Sequence, residues 1–114
     1  SLRVLGRNLE ALECYDAAIR FQPDCADAYN NKGNALSSLG RNLEAIDYYD
    51  ATISLQPDFA EAYNGKGAAL SSLGRDLEAV EWYDAAIRLK IDFLYAYNNK
   101  GRSLRVLWRN LEAL

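Results

Sequence analysis

From Ala28 onward, apolar and small residues fall at Tyr29, Gly33, Leu36 and Leu39. Spacings of three and four put them on one face of a helix. Gly40 ends that stripe, since glycine takes the left-handed conformation of a helix C-terminal cap without steric penalty. Asp24 stands where it can cap the start of this helix. A second stripe follows at Leu43, Ala45, Ile46, Tyr49, Ile53 and Leu55, with Asn42 as its expected N-cap and Pro57 as its stop. No alternating β-branched run occurs, so the pattern predicts helices and no strand.

The same pattern then returns. ADAYNNKGNALSSLGRNLEAIDYYDATISLQPDF, over 26–59, is followed by AEAYNGKGAALSSLGRDLEAVEWYDAAIRLKIDF, over 60–93. Asp58 and Glu61 repeat the expected cap of the first helix. A further copy opens LYAYNNKGRSL at 94–114, and the chain starts inside an earlier one, 1–25. A fixed period of this length predicts a single all-α solenoid of stacked antiparallel helix pairs, about three units long. Gly33, Gly67 and Gly101 recur inside helices, where glycine costs about 1 kcal/mol against alanine and is usually kept for close helix approach. Ala45 and Ala79 read the same way, and Tyr29, Tyr63 and Tyr97 are expected to fill the space opposite. A solenoid presents long surfaces to partners and seldom builds a catalytic pocket.

Composition narrows the function classes. Half of the 114 residues are hydrophobic and the net charge is −3 with both signs interspersed. No basic patch exists to neutralise a phosphate backbone, which argues against nucleic acid. No apolar run approaches a membrane span. The absence of histidine excludes the usual zinc sites and histidine-based catalysis. Cys14 and Cys25 are even in number and so permit a disulfide, but two free thiols in a cytoplasmic helical protein are the favoured reading. Glu44, Asp47, Asp50, Glu78, Glu81 and Asp84 read as a solvated outer face rather than as acid–base pairs or cation ligands. The expectation is therefore a binding protein, not an enzyme, with no cofactor, no metal and no catalytic residue. Methionine is absent and the chain starts mid-repeat, which predicts a piece of a longer protein.

Tyr29, Gly33, Leu36, Gly40, Ala45, Tyr49 and Pro57, repeated as Tyr63, Gly67, Leu70, Gly74, Ala79 and Tyr83, resemble the tetratricopeptide repeat (TPR) across the whole chain. The NNKG and GRNLEA wording looks more like archaeal or bacterial arrays than eukaryotic chaperone adaptors. The resemblance implies a right-handed superhelix whose first helices line a concave groove for a peptide or protein segment. The family's groove positions are Asp27, Asn30, Asn31 and Asn34, then Glu61, Asn64, Gly65 and Ala68, then Tyr95, Asn98, Asn99 and Arg102. Amides both donate and accept hydrogen bonds, so Asn30, Asn31, Asn34, Asn64, Asn98 and Asn99, with Arg102, are the candidate peptide-binding residues. Where family members hold a C-terminal carboxylate with lysine, this chain has Asn30 and Tyr95, so the cationic clamp is missing. Lys32, Lys66 and Lys100 stand where the family usually has leucine.

The punctuation fails at the C-terminal end. Ile91 replaces the expected proline and Trp108 the turn glycine. One long helix from Tyr95 to Leu114 is the expectation, with a Trp108→Gly change restoring the turn. SLRVLGRNLEAL at 1–12 and SLRVLWRNLEAL at 103–114 differ only at Gly6 and Trp108. That likeness predicts a duplicated three-unit block with a super-period of about 102 residues, which a parent sequence lacking it would refute. Uncapped ends also suggest a second role: a scaffold assembling head to tail through Leu107, Trp108, Leu111 and Leu114.

Overall fold

A computed structural model describes residues 2–113. They form six helices: α1 (Leu2–Phe21), α2 (Ala26–Ser38), α3 (Asn42–Leu55), α4 (Ala60–Ser72), α5 (Asp76–Leu89) and α6 (Leu94–Glu112). Each helix packs on the next in sequence, so the chain is an all-α solenoid of antiparallel pairs. The first helices of successive pairs also touch, α2 on α4 and α4 on α6, whereas α3 and α5 do not. An array that is close on one side and splayed on the other bends toward the close side. The concave face therefore belongs to α2, α4 and α6.

The inner turns are built by glycine. Gly40 and Gly74 hold φ of 78° and 81°. Around Gly40 the Arg41 amide donates to the Leu36 carbonyl at 2.9 Å and the Gly40 amide to the Ser37 carbonyl at 3.0 Å. This paired closure satisfies carbonyls that a helix end otherwise leaves orphaned. The expected acidic N-caps do not form. Cys25, Arg41, Phe59 and Arg75 occupy the cap positions, and none makes a side-chain cap. Asn42 and Asp76 lie one residue inside their helices and accept hydrogen bonds from the Ser37 and Ser71 hydroxyls across the turn instead, at 3.0 and 2.7 Å. Asp24 and Asp58 precede Cys25 and Phe59 in the loops.

The core lies where the recurrent small residues let helices approach. Ala45, Ala62, Ala69, Ala79 and Ala96 are wholly buried. A Cβ on Gly33 would stand 2.9 Å from the Tyr49 ring, and one on Gly67 would stand 2.6 Å from the Tyr83 ring and 3.2 Å from the Ala79 carbonyl. Leu43 and Leu55, read as part of the second stripe, are exposed, as is Leu77. Their place is taken by Thr52, which is fully buried and satisfies its hydroxyl on the Tyr48 carbonyl at 2.8 Å.

At the ends the helices run straight. α6 passes through Trp108 without turning. So does α1 through Gly6, which carries the very glycine that Trp108 lacks. Glycine at this position is therefore not sufficient for a turn. A Cβ on Gly101 would meet nothing outside the backbone of α6 itself, and Tyr97 is exposed rather than packed, since no helix among the described residues folds back over α6. Leu114 lies outside the described residues.

Candidate functional site

Between the N-terminal halves of α4 and α6 the concave face opens into a cleft of about 490 Å³. Asn34, Asn64 and Gly65 line it from the helices, and Lys90, Phe93 and Tyr95 close it from the α5–α6 loop and the start of α6. The helices deliver these side chains through their register: groove residues three and four apart share one face. Two of the expected peptide-binding residues, Asn34 and Asn64, thus meet in one cleft. Asn30, Asn31, Asn98, Asn99 and Arg102 do not line it. Asn31, Asn98 and Arg102 are exposed.

The asparagines are partly spent on each other. Asn99 Nδ2 donates to Asn64 Oδ1 at 3.1 Å. One repeat earlier the corresponding positions are Gly65 and Asn30, and glycine has no side chain to offer. Asn30 is accordingly buried, 6% exposed, with its Oδ1 lacking any partner. Gly65 is forced by Tyr49. A Cβ there would sit 2.6 Å from the Tyr49 ring, which leans this way to donate its hydroxyl to Asn34 Oδ1 at 2.6 Å. Burial pushes the Tyr49 phenol up to about 12, so it stays a donor at neutral pH. Ala68 stands where an equivalent acceptor for Tyr83 would be, and the residue one repeat after Gly65 is Asn99. The swap of Asn34 with Gly65 for Ala68 with Asn99 makes two nearly identical repeats present different groove surfaces.

The sequence reading missed what lines the cleft from outside the first helices. Lys90 lies 3.6 Å from Glu61 and 4.9 Å from the Phe93 ring centroid. Helical periodicity does not reach into a loop, so no stripe pointed to it. It also missed the reason for the unusual lysines. Lys32 bonds Asp16, Lys66 bonds Asp50 at 2.6 Å, and Lys100 bonds Asp84 at 2.6 Å. Lys66 sits 3.8 Å from the Trp82 ring centroid, and Lys32 sits 4.3 Å from that of Tyr48. Burial acts to lower the Lys32 pKa, but its bonds to Asp16 and Tyr48 outweigh burial and raise it. Asp50 and Asp84 are thus bridges between successive pairs rather than only a solvated face. Their spacing of sixteen to each lysine was the available signal.

The residues assigned to self-association lie apart from this cleft. Trp108 is 64% exposed, Leu111 is exposed and Leu107 half-buried. With Leu104 they form an apolar trough of about 540 Å³ along α6. Cys14 and Cys25 are both free thiols. Among the described residues no group of three potential ligands gathers to hold a metal, and no helix is long and apolar enough to cross a membrane.

The family profile for the tetratricopeptide repeat matches residues 1–58 and 32–92. Among solved structures, the first TPR of Spaghetti (RPAP3) bound to the HSP90 peptide SRMEEVD is similar in fold, with a TM-score of 0.85 at 24% identity over 90% of this chain and 81% of that one. The TPR2B-domain:pHsp70 complex of yeast Sti1 matches with a TM-score of 0.83 at 24% identity, over 88% and 85%. The MamA protein matches with a TM-score of 0.79 at 28% identity, over 86% of this chain and 54% of that one. No curated protein matches the sequence.

Proposed function

The chain belongs to the tetratricopeptide repeat family, and on that premise we propose that it is a non-enzymatic interaction module that holds an extended peptide segment in its concave groove. The observation that carries this reading is the α4–α6 cleft, where Asn34 and Asn64 stand beside the exposed ring of Tyr95. Asparagine amides can pair with the donors and acceptors of a peptide backbone, while Tyr95 offers an apolar face with a polar tip. Structural neighbours that carry HSP90 and HSP70 peptides support the general mode of binding. Asn30 and Tyr95 stand where lysines would hold a terminal carboxylate, and Lys90 in the cleft is paired with Glu61 at 3.6 Å, so the ligand read here is an internal segment, not an acidic tail.

Screening a library of fluorescent internal peptides, with SRMEEVD as the comparison, tests this. The double change Asn64→Ala with Tyr95→Ala is expected to weaken the selected peptide at least tenfold while the helical content and oligomeric state stay as they were. Unchanged binding in that variant, or preference for SRMEEVD, refutes the reading.

A second reading is self-association through the α6 face. It is supported by the contiguous exposure of Leu104, Trp108 and Leu111, since apolar patches of this kind mark interaction surfaces.

A further inference from the structure

We infer that the α4–α6 cleft selects an internal segment that carries an arginine, with the guanidinium over Tyr95 and paired with the Glu61 and Asp92 carboxylates. This rests on the groove-binding reading above and supplies the chemistry of its ligand.

The charges around the cleft favour a cation. Glu61 and Asp92 bring two carboxylates to it and Lys90 brings one ammonium, so its lining carries a net charge of −1. Among the described residues no lysine or arginine pairs with Asp92. Glu61 is held only loosely. Its carboxylate lies 3.6 Å from Lys90, a charge contact too long for a hydrogen bond, and both side chains are half exposed. Both carboxylates are therefore open to a guanidinium that can donate two parallel hydrogen bonds.

The apolar part of the cleft suits the rest of an arginine. Tyr95 is 72% exposed. The buried Phe93 meets it at 88° with centroids 6.5 Å apart, and such a contact uses at most one side of the Tyr95 ring. A guanidinium stacks on an open aromatic face while its edge reaches a carboxylate, which a compact ammonium does less well. Leu94, also exposed, offers apolar surface to the methylene stem.

The repeat shows that this surface belongs to one junction. The three loops read QPDCAD at 22–27, QPDFAE at 56–61 and KIDFLY at 90–95. The aspartate is kept throughout, as Asp24, Asp58 and Asp92. Ala26 and Ala60 give way to Leu94, and Asp27 and Glu61 to Tyr95. Apolar surface thus arrives where carboxylates remain. Asp27, Glu61 and Tyr95 share one repeat position and all are exposed, so the ring is open because of its place on the groove. Lys90 stands where the other loops have Gln22 and Gln56. It covers Glu61 with the chain's own cation, which the guanidinium displaces.

The peptide selected in the screen, capped at both ends and scanned with arginine, citrulline and glutamate at each position, tests this by fluorescence anisotropy. At one position arginine is expected to bind at least tenfold tighter than its neutral isostere citrulline, with glutamate weakest. Lys90→Gln removes the competing cation and should tighten the arginine peptide about threefold. Glu61→Gln with Asp92→Asn should bring arginine and citrulline close to parity, with helix content retained. Equal binding of arginine and citrulline at every position overturns this inference and leaves the groove reading standing. So does a preference for glutamate that Lys90→Gln weakens, which would make Lys90 the anchor. An arginine preference that survives Glu61→Gln with Asp92→Asn places the cation elsewhere and overturns the inference too. If no capped peptide binds, both readings fall.

Discussion

Gly40 and Gly6 occupy the same place in the repeat, and the chain turns at one and runs straight through the other. Around Gly40, α2 and α3 close on each other through Leu36, Ala45 and Tyr49, and the turn is the shortest way to bring them together. Gly6 lies inside an unbroken α1, and among the described residues that helix packs on α2 alone. The left-handed glycine conformation is permitted at both sites and chosen only where helix-on-helix burial repays the broken helical hydrogen bonds. The exposed pairs Arg41–Glu44 and Arg75–Glu78 follow the same division. They form where the arginine stands outside the helix at the turn, and Arg7 and Glu10 in the straight α1 make no such bridge. Local sequence offers the turn, and packing takes it.

The sharpest way to break this comparison is to remove the packing. Tyr83→Ala should destabilise the fold by about 3–5 kcal/mol by chemical denaturation, since the ring is buried against Gly67. Tyr15→Ala, at the same repeat position in α1, should cost about 1–2 kcal/mol, because that ring is only partly buried. Equal losses at the two sites would mean that α1 is covered like an inner helix. A smaller contrast comes from the glycines themselves. Gly40→Ala forces a side chain into φ of 78° and should cost about 1–2 kcal/mol, whereas Gly6→Ala should gain up to about 1 kcal/mol of helix stability. A cost at Gly6 would reveal a turn in solution.

The smallest effect is electrostatic. Hydrogen bonding to Arg41 and Arg75 holds the Glu44 and Glu78 carboxyls below their ordinary value. A carboxylate depressed in the folded state adds stability that is present above its unfolded pKa of 4.5 and is lost as pH falls through the lower folded value. NMR titration of the side-chain carboxyls should therefore place both below the ordinary glutamate value of 4.5, and 1 M salt should narrow the gap because the pairs are exposed. Titration of Glu44 and Glu78 at their ordinary value would remove the distinction.

Much of this was legible beforehand for a definite reason. Gly33 and Gly67 in helix interiors announced close approach, and Tyr49 and Tyr83 are what they approach. The groove asparagines were equally visible, but not their division of labour. Whether Asn64 faces a ligand or Asn99 depends on a residue 35 positions away. The orphaned Asn30 amide depends on Gly65, which in turn depends on how Tyr49 leans. Lys90 entered the cleft from a loop that carries no period. Asn42 read as a cap because caps are local patterns, yet its side chain was claimed by Ser37 across the turn.

The sequence alone determined the period, the alternation of helices and the small-residue seams, because spacing along a helix maps directly onto its faces. Only the tertiary structure decided which seams close. At Gly40 and Gly74 a second helix is there to bury, and the chain folds back. At Gly6 and Trp108 the described residues pack no further helix against the seam, and there α1 and α6 continue without a turn. Burial is a property of two surfaces meeting, and a one-dimensional pattern describes each of them singly.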